Sequence, residues 1–232
     1  MTIFQYALLR GIRSPMSIVV NLALPFVLIL INSLWTDDGA ALQNGFVLMA
    51  SVLLFGSFLV ARGIMNDRQD GTVIRILAGP VTTFRYLAQN LLACMAPLAA
   101  ILIVVIAIGA FLYGWRLPFA FALMLCYTIF AAACVALSFA WSCLFKSREA
   151  SFSVFSVLAM FMAMLGGLVL PLHMMPDALR YVGALFPAYW AAYGLNALLE
   201  SGAAAGQFWL ALAAMALFAA AFLLYGGKRR IL

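Results

Sequence analysis

The sequence predicts an all-α integral membrane protein with six transmembrane helices, and three observations carry that prediction. Of its 232 residues, 68% are apolar and only 9% charged, where a soluble domain carries about 25% charged residues. Mean hydropathy is +1.14. Apolar runs long enough to supply the roughly 20 residues that a bilayer crossing needs fall at 16–35, 45–65, 87–113, 119–145, 150–170 and 207–225. The two longest of these must tilt or project beyond the hydrocarbon.

Charge distribution orients the spans. Six spans put both ends on one side. That side then holds Arg10, Arg13, Arg62, Arg68, Arg75, Arg85, Lys146, Arg148, Lys228, Arg229 and Arg230, which is all but two of the 13 basic residues. Only Arg116 and Arg180 fall opposite. The positive-inside rule makes the basic side cytoplasmic, with both termini there. The net charge of +6 is therefore a topology signal. It does not point to nucleic acid, because the basic residues are spread over four short cytoplasmic segments. Trp35, Tyr113, Trp115, Tyr181, Tyr189, Trp190 and Tyr193 fall near the outer interface, and Tyr86, Trp141 and Tyr225 near the inner one, the depths that amphipathic rings prefer.

Each element has its own reason. Residues 1–15 place Phe4, Leu8 and Ile12 against Gln5, Tyr6, Arg10 and Arg13 at helical spacing, which suits a short amphipathic helix in the cytoplasmic interface. Pro15 breaks that line and starts the first span. Arg10 and Arg13 resemble the start of a signal sequence, but the apolar run is too long and no small-x-small cleavage site follows, so the span is retained. Asn21, Pro25 and Asn32 lie inside it and are expected to face other helices. The second span follows the turn Thr36-Asp37-Asp38-Gly39 and leads into a polar island, 66–86. There Thr72 is a candidate N-cap of a short helix. Val73, Ile74, Ile76 and Leu77 form its apolar side, Arg75 points elsewhere, and Gly79-Pro80 stops it. Exposed apolar residues on so short a segment favour a docking element over an ordinary solvated loop.

The third and fourth spans form a hairpin about Gly114-Trp115-Arg116-Leu117-Pro118. The fifth, after Lys146-Ser147-Arg148-Glu149, begins with Ser151, Ser153 and Ser156 and passes through Gly166-Gly167, small residues that allow close helix approach. Between 171 and 200, prolines at 171, 176 and 187 cut an apolar stretch into pieces too short to span. We read these as re-entrant helices dipping into the outer leaflet, their backbone ends covered by protein. Glu200 and Gly202 precede the last span, and Lys228-Arg229-Arg230 anchor the end.

Several chemistries are missing from the sequence. No G-x-x-x-x-G-K-[ST] phosphate loop occurs, so the chain is not expected to split ATP in that way. Neither His-Glu-x-x-His nor Gly-x-Ser-x-Gly is present. His173 is the one histidine, and an interfacial polar role outweighs a metal role beside Met174 and Met175. The cysteines at 94, 126, 134 and 143 lie in predicted spans without metal-ligand spacing, and packing as reduced apolar residues is expected. Mid-span carboxylates, which ion-coupled pumps usually need, are absent, so energy is expected from another chain.

These features converge on one resemblance. Asp67-Arg68-Gln69-Asp70-Gly71-Thr72, followed by Leu77-Ala78-Gly79-Pro80, is similar to a signature of ABC type-2 exporter permeases. So is Gly167-Leu168-Val169-Leu170-Pro171 through Met175-Pro176 and Phe186-Pro187-Ala188-Tyr189. The resemblance covers nearly the whole chain, 1–232, as one permease domain. Ile74 departs from it, since the family often carries an acidic residue there. The resemblance implies a coupling helix seated in a cytosolic ATPase subunit, with Asp67, Asp70, Gly71, Thr72, Arg75, Leu77 and Pro80 as coupling residues. It implies an outer gate of re-entrant helices, with Pro171, Met175, Pro176, Pro187 and Tyr189. Two permease subunits would pair through their first and fifth spans, as a homodimer or heterodimer. ATP and magnesium would bind the partner ATPase, with no cofactor on this chain and no nucleic-acid partner. The expected setting is a bacterial plasma (inner) membrane.

The function that follows is export of a hydrophobic, amphipathic or lipid-linked substrate such as a drug, lipid or peptide. Polysaccharide or teichoic-acid export is the alternative within the family. Outside it stand a secondary transporter, an intramembrane enzyme and a non-transporting immunity or assembly protein. Phe55, Phe58, Phe155 and Phe161, with Phe46, are candidates to line a substrate path, with core packing as the competing and preferred role.

Overall fold

The computed structural model describes residues 3–12, 27, 39–77, 82–113, 117–145, 147–170 and 172–228. The predicted first span, 16–35, lies almost wholly outside the described residues, as do Asn21, Pro25, Asn32 and Trp35. Among the described residues every regular element is helical. In chain order these are α1 (Ile3–Ile12), α2 (Gly39–Gln69), α3 (Thr72–Leu77), α4 (Thr83–Tyr113), α5 (Leu117–Ser142), α6 (Arg148–Leu165), α7 (Asp177–Gly183), α8 (Pro187–Ser201) and α9 (Gly206–Lys228), with a 3₁₀ turn at Leu172–Met174. Four helices, α2, α4, α5 and α9, are long and apolar enough to cross a membrane, and a fifth crossing results if the α7–α8 pair is one broken span.

The bundle is organised around α5. Tyr127, Phe130, Ala131, Cys134, Ser138 and Phe139 are all wholly buried. A helix that is apolar on every side belongs in the middle, and α5 packs on α2, α4, α8 and α9. By contrast, only a third of the spanning part of α4 and 22% of that of α9 is covered by protein. Their open faces carry Leu92, Ile103, Val104 and Phe111, and Trp209, Leu210, Leu217 and Leu224. Apolar exposure on this scale is what a lipid-facing surface looks like.

Cross-bundle contacts fix the directions of the chain. The Tyr127 hydroxyl donates to the Phe46 carbonyl at 2.8 Å, and the Ser57 and Ser138 hydroxyls lie 3.3 Å apart. Both pairings match early α2 with early α5 and late with late, so these two helices run parallel. A Cβ on Gly226, near the end of α9, would stand 3.2 Å from Leu87 Cδ1 in early α4 and 3.7 Å from Ala140 Cα in late α5. One end of the bundle therefore gathers the end of α2, α3, the start of α4, the end of α5 and the end of α9. The opposite end gathers the end of α6, α7 and the start of α8, where a Cβ on Gly183 would collide with the Leu165 carbonyl. This division agrees with the sidedness that the basic residues predict.

Two boundaries correct the sequence reading. The predicted fifth span, 150–170, stops at Leu165. Leu168 N donates to Ala163 O at 2.9 Å and Gly167 N to Met164 O at 3.3 Å, with Gly167 at φ +81°. This is the Schellman arrangement, in which a left-handed glycine lets the chain double back and satisfy the last carbonyls. Gly167 thus ends the helix instead of lying inside it, while Gly166 does supply the expected close approach, its Cα facing Ala188 of α8. At its other end α6 begins where Ser147 caps it, the side-chain oxygen accepting from Ala150 N at 3.3 Å. The resulting 18-residue helix is about 27 Å long at 1.5 Å per residue, slightly less than the hydrocarbon thickness. The second correction concerns Thr72. It is the first residue of α3, not its N-cap, because the Gly71 carbonyl receives Arg75 N (3.5 Å) and Gly71 itself takes the non-helical conformation, φ +68°.

Candidate functional site

The end of the bundle that carries α3 is built from residues on four helices. Asp67 sits near the end of α2 and is 6% exposed. Its Oδ2 accepts the Tyr86 hydroxyl at 2.8 Å. Tyr86, in the first turns of α4, is 1% exposed, and its carbonyl accepts Asn90 Nδ2 at 2.9 Å. Thr82 immediately precedes α4, its hydroxyl oxygen accepting from Arg85 N at 3.3 Å. A buried carboxylate that accepts a hydroxyl proton is satisfied electrostatically where an orphaned one would be costly. The bond joins the two long helices that flank α3.

The short helix α3 is held against this base by its own apolar residues. Val73 is almost wholly buried, in a cluster with Ile64, Tyr86, Leu87, Cys94, Leu98, Ala131, Val135 and Phe139. Ile76, one turn on, is half-buried against the same cluster. Val73 and Ile76 are three apart and share a face. Arg75 and Asp70 are exposed on the other side. This corrects part of the sequence reading: at Val73 and Ile76 the apolar side of the island is covered by the chain's own core. A six-residue helix has no stability of its own, and this packing supplies it.

Among the coupling residues expected from sequence, Asp70 and Arg75 face solvent, Gly71 and Thr72 are half-buried, and Asp67 points inward to Tyr86. The Leu77 side chain and Pro80 lie outside the described residues, as does the Ile74 side chain. Sequence reasoning missed Tyr86 as part of the site, and placed Val73 on the docking side of the segment where the structure buries it. Tyr86 passed for an interfacial anchor, although an acidic residue ending one long span and a tyrosine opening the next are a pairing signal.

At the opposite end, α7 and α8 meet at a bend of 111°. Pro176 precedes α7 and Pro187 opens α8 at its first turn, positions where the missing N–H costs no helix bond. Trp190 Nε1 donates to Ala184 O at 2.9 Å and Arg180 Nε to Leu172 O at 3.0 Å, so side chains cover the carbonyls that the break frees. Arg180 also lies 3.7 Å from Asp177. Met175 and Pro187 are buried, Pro176 is exposed, and Tyr189 is half-buried, its ring parallel to Tyr193 with centroids 6.1 Å apart. Pro171 and the His173 side chain lie outside the described residues.

The four candidate path phenylalanines do not form one lining. Phe58 and Phe155 are buried and stacked on each other, centroids 4.4 Å apart, with Trp141 edge-on to Phe155 at 6.0 Å. These two are core. Phe55 and Phe161 are 40% and 58% exposed on the outer faces of α2 and α6. On α6, Phe161 belongs to an apolar stripe with Val154, Val157, Met160 and Met164.

A long apolar bundle that offers a short, charged, solvent-facing helix at one end and a proline-broken helix pair at the other has the parts of a transport component worked from one side. No curated protein matches the sequence significantly. The family model described as ABC-2 family transporter protein matches residues 17–227. That span takes in both ends of the bundle and every helix from α2 to α8, and the chain is therefore a multi-pass membrane protein of the ABC-2 transporter family, a transport component and not itself a catalyst.

Proposed function

We propose that this chain is the membrane-spanning permease subunit of an ATP-driven exporter, with α3 as the coupling helix that a cytosolic ABC ATPase grips. The carrying observation is the construction of α3: Arg75 exposed on it, with Asp70 exposed in the turn that leads into it, and Val73 sunk into the bundle. An element built this way receives force on one side and delivers it on the other. In this reading the α3 end is cytoplasmic, both termini lie there, and residues 16–35 provide a first span, which with α6 brings the total to six. The setting is a bacterial inner membrane. ATP and magnesium bind the partner, and ATP-driven closure of two ATPases shifts a two-state permease toward an outward-open form.

The α7–α8 pair is the outer re-entrant gate. Two permease subunits pair through the 16–35 span and the exposed apolar stripe of α6. The substrate is hydrophobic or amphipathic and enters from the membrane, in keeping with the apolar character of the spans. The test is co-purification from native membranes of the tagged chain with a soluble ATPase, followed by Arg75→Glu. The wild type should retain the ATPase and show ATP-dependent export. Arg75→Glu should lower ATPase retention about tenfold or more, the scale of one lost charge-assisted contact. A wild-type chain that transports with no ATPase bound would overturn the reading.

A further inference from the structure

We propose that the Asp67–Tyr86 hydrogen bond is the clasp that transmits movement of α3 into the bundle, so that Asp67 is a positioning residue acting inside the chain and not a contact to the partner. The proposal rests on the reading of α3 as the coupling helix.

Four observations support it. The bond closes the base of the α2–α3–α4 excursion, since Asp67 lies just before the turn into α3 and Tyr86 just after α4 begins. Both residues are buried, at 6% and 1% exposure, so neither side chain is available to a soluble partner. Val73, deeply buried among the described side chains of α3, belongs to the same cluster as Tyr86. The residue after Tyr86 carries the connection onward: Leu87 is wholly buried and lies where a Cβ on Gly226 of α9 would meet its Cδ1 at 3.2 Å, with Ala140 of α5 beside it. A Cβ on Gly227 would likewise stand 3.3 Å from the Phe84 Cα. One apolar cluster thus joins Val73 of α3 to Tyr86 and Leu87 of α4 and to Ala131, Val135 and Phe139 of α5, with Gly226 of α9 close to Leu87.

Physics separates the clasp from a mere packing contact. Apolar contact at Val73 resists compression but has no preferred direction. A hydrogen bond to a carboxylate is directional and strong when dry. It keeps α2 and α4 together, so that a push on α3 moves both helices and does not splay them. Loss of the hydroxyl alone should therefore uncouple without undocking.

The experiment uses the full-length chain, wild type and the variants Tyr86→Phe, Asp67→Ala and Asp67→Asn, each with the ATPase that co-purifies. Three readouts are compared: ATPase retention, ATP-dependent change in thiol labelling at Val182→Cys on exposed α7 in a background without native cysteines, and amide hydrogen exchange of 68–77 in the chain without ATPase. Tyr86→Phe and Asp67→Ala should retain the ATPase within about twofold, lose about tenfold of the labelling response, and exchange about tenfold faster over 68–77. Asp67→Asn, which still offers an oxygen to Tyr86, should recover most of both effects. Tyr86→Phe combined with Asp67→Ala should be no worse than either alone. If Tyr86→Phe keeps the full labelling response, or if it loses the ATPase, the clasp is overturned. A wild-type chain with no ATPase and no response to ATP overturns the coupling reading itself, and a clasp that still slows exchange there would be structural only, which also overturns the transmission role.

Discussion

The two ends of the bundle hold short helices by different physics. At the α7–α8 end the holding contacts are steric. Gly183 faces the Leu165 carbonyl, Gly166 faces Ala188, and tryptophan and arginine side chains close the carbonyls that the proline breaks expose. At the α3 end the contacts are one buried carboxylate–hydroxyl bond and the side chains of Val73 and Ile76. Backbone packed on backbone at glycine tolerates almost no displacement, because interiors are already close-packed. At the α3 end the hydrogen bond ties α2 to α4, while α3 itself rests on two aliphatic side chains whose contacts have no preferred direction. The comparison teaches that this bundle keeps its adaptable joint at the charged end and its stiff one at the proline-rich end.

Substitutions at four positions test that contrast. The largest effect is expected from Gly183→Val. Its Cβ meets the Leu165 carbonyl, a backbone atom that cannot rotate away. Thermal or chemical unfolding in detergent should show a loss of about 3 kcal/mol, at the upper end for overpacking. Wild-type stability in this variant would mean that the α6–α7 approach is loose and the contrast is false.

Next comes Val73→Asp, which places a carboxylate in the cluster under α3 and should cost roughly 2 kcal/mol of unfolding stability. Arg75→Ala on the exposed face of the same helix should stay within about 0.5 kcal/mol. Equal effects at 73 and 75 would show that α3 is not seated on the bundle as described. A smaller effect than at Val73 is expected at Gly71. Nothing lies within 4 Å of a Cβ placed there, so only the left-handed φ of +68° opposes a side chain. Gly71→Ala should cost about 1 kcal/mol, and Gly71→Asn distinctly less, since asparagine enters that region more readily. An Ala cost as large as that at Gly183 would reveal an unseen neighbour.

Much of the fold is readable in the residues. The helices α2, α4, α5 and α9 lie where apolar runs demand them. Pro176 and Pro187 open helices as their chemistry requires, and Gly202, at φ +77°, ends α8. The family is legible as well, since glycine, proline and acidic positions punctuate the chain at fixed places. The candidate site is half legible. Arg75 and Asp70 face solvent as their charge suggests. Asp67 bears the same charge as Asp70 three residues away, yet one is buried and the other exposed. The helix α2 ends at Gln69, so Asp70 lies in the turn and meets solvent, while Asp67 is still helical and only a partner on another helix makes its buried place tolerable.

The sequence by itself determined that this protein lives in a membrane and where the long helices α2, α4, α5 and α9 run. Composition suffices because transfer into lipid depends on the residues of each segment alone. Tertiary structure decided which helix is central, which phenylalanines are core, and whether Val73 and Asp67 face the chain or its surroundings. Hydropathy is blind to those questions, because lipid and protein interior are equally good homes for an apolar side chain. Likewise a charge near a membrane end is content in water or beside a buried hydroxyl, and only packing selects between them.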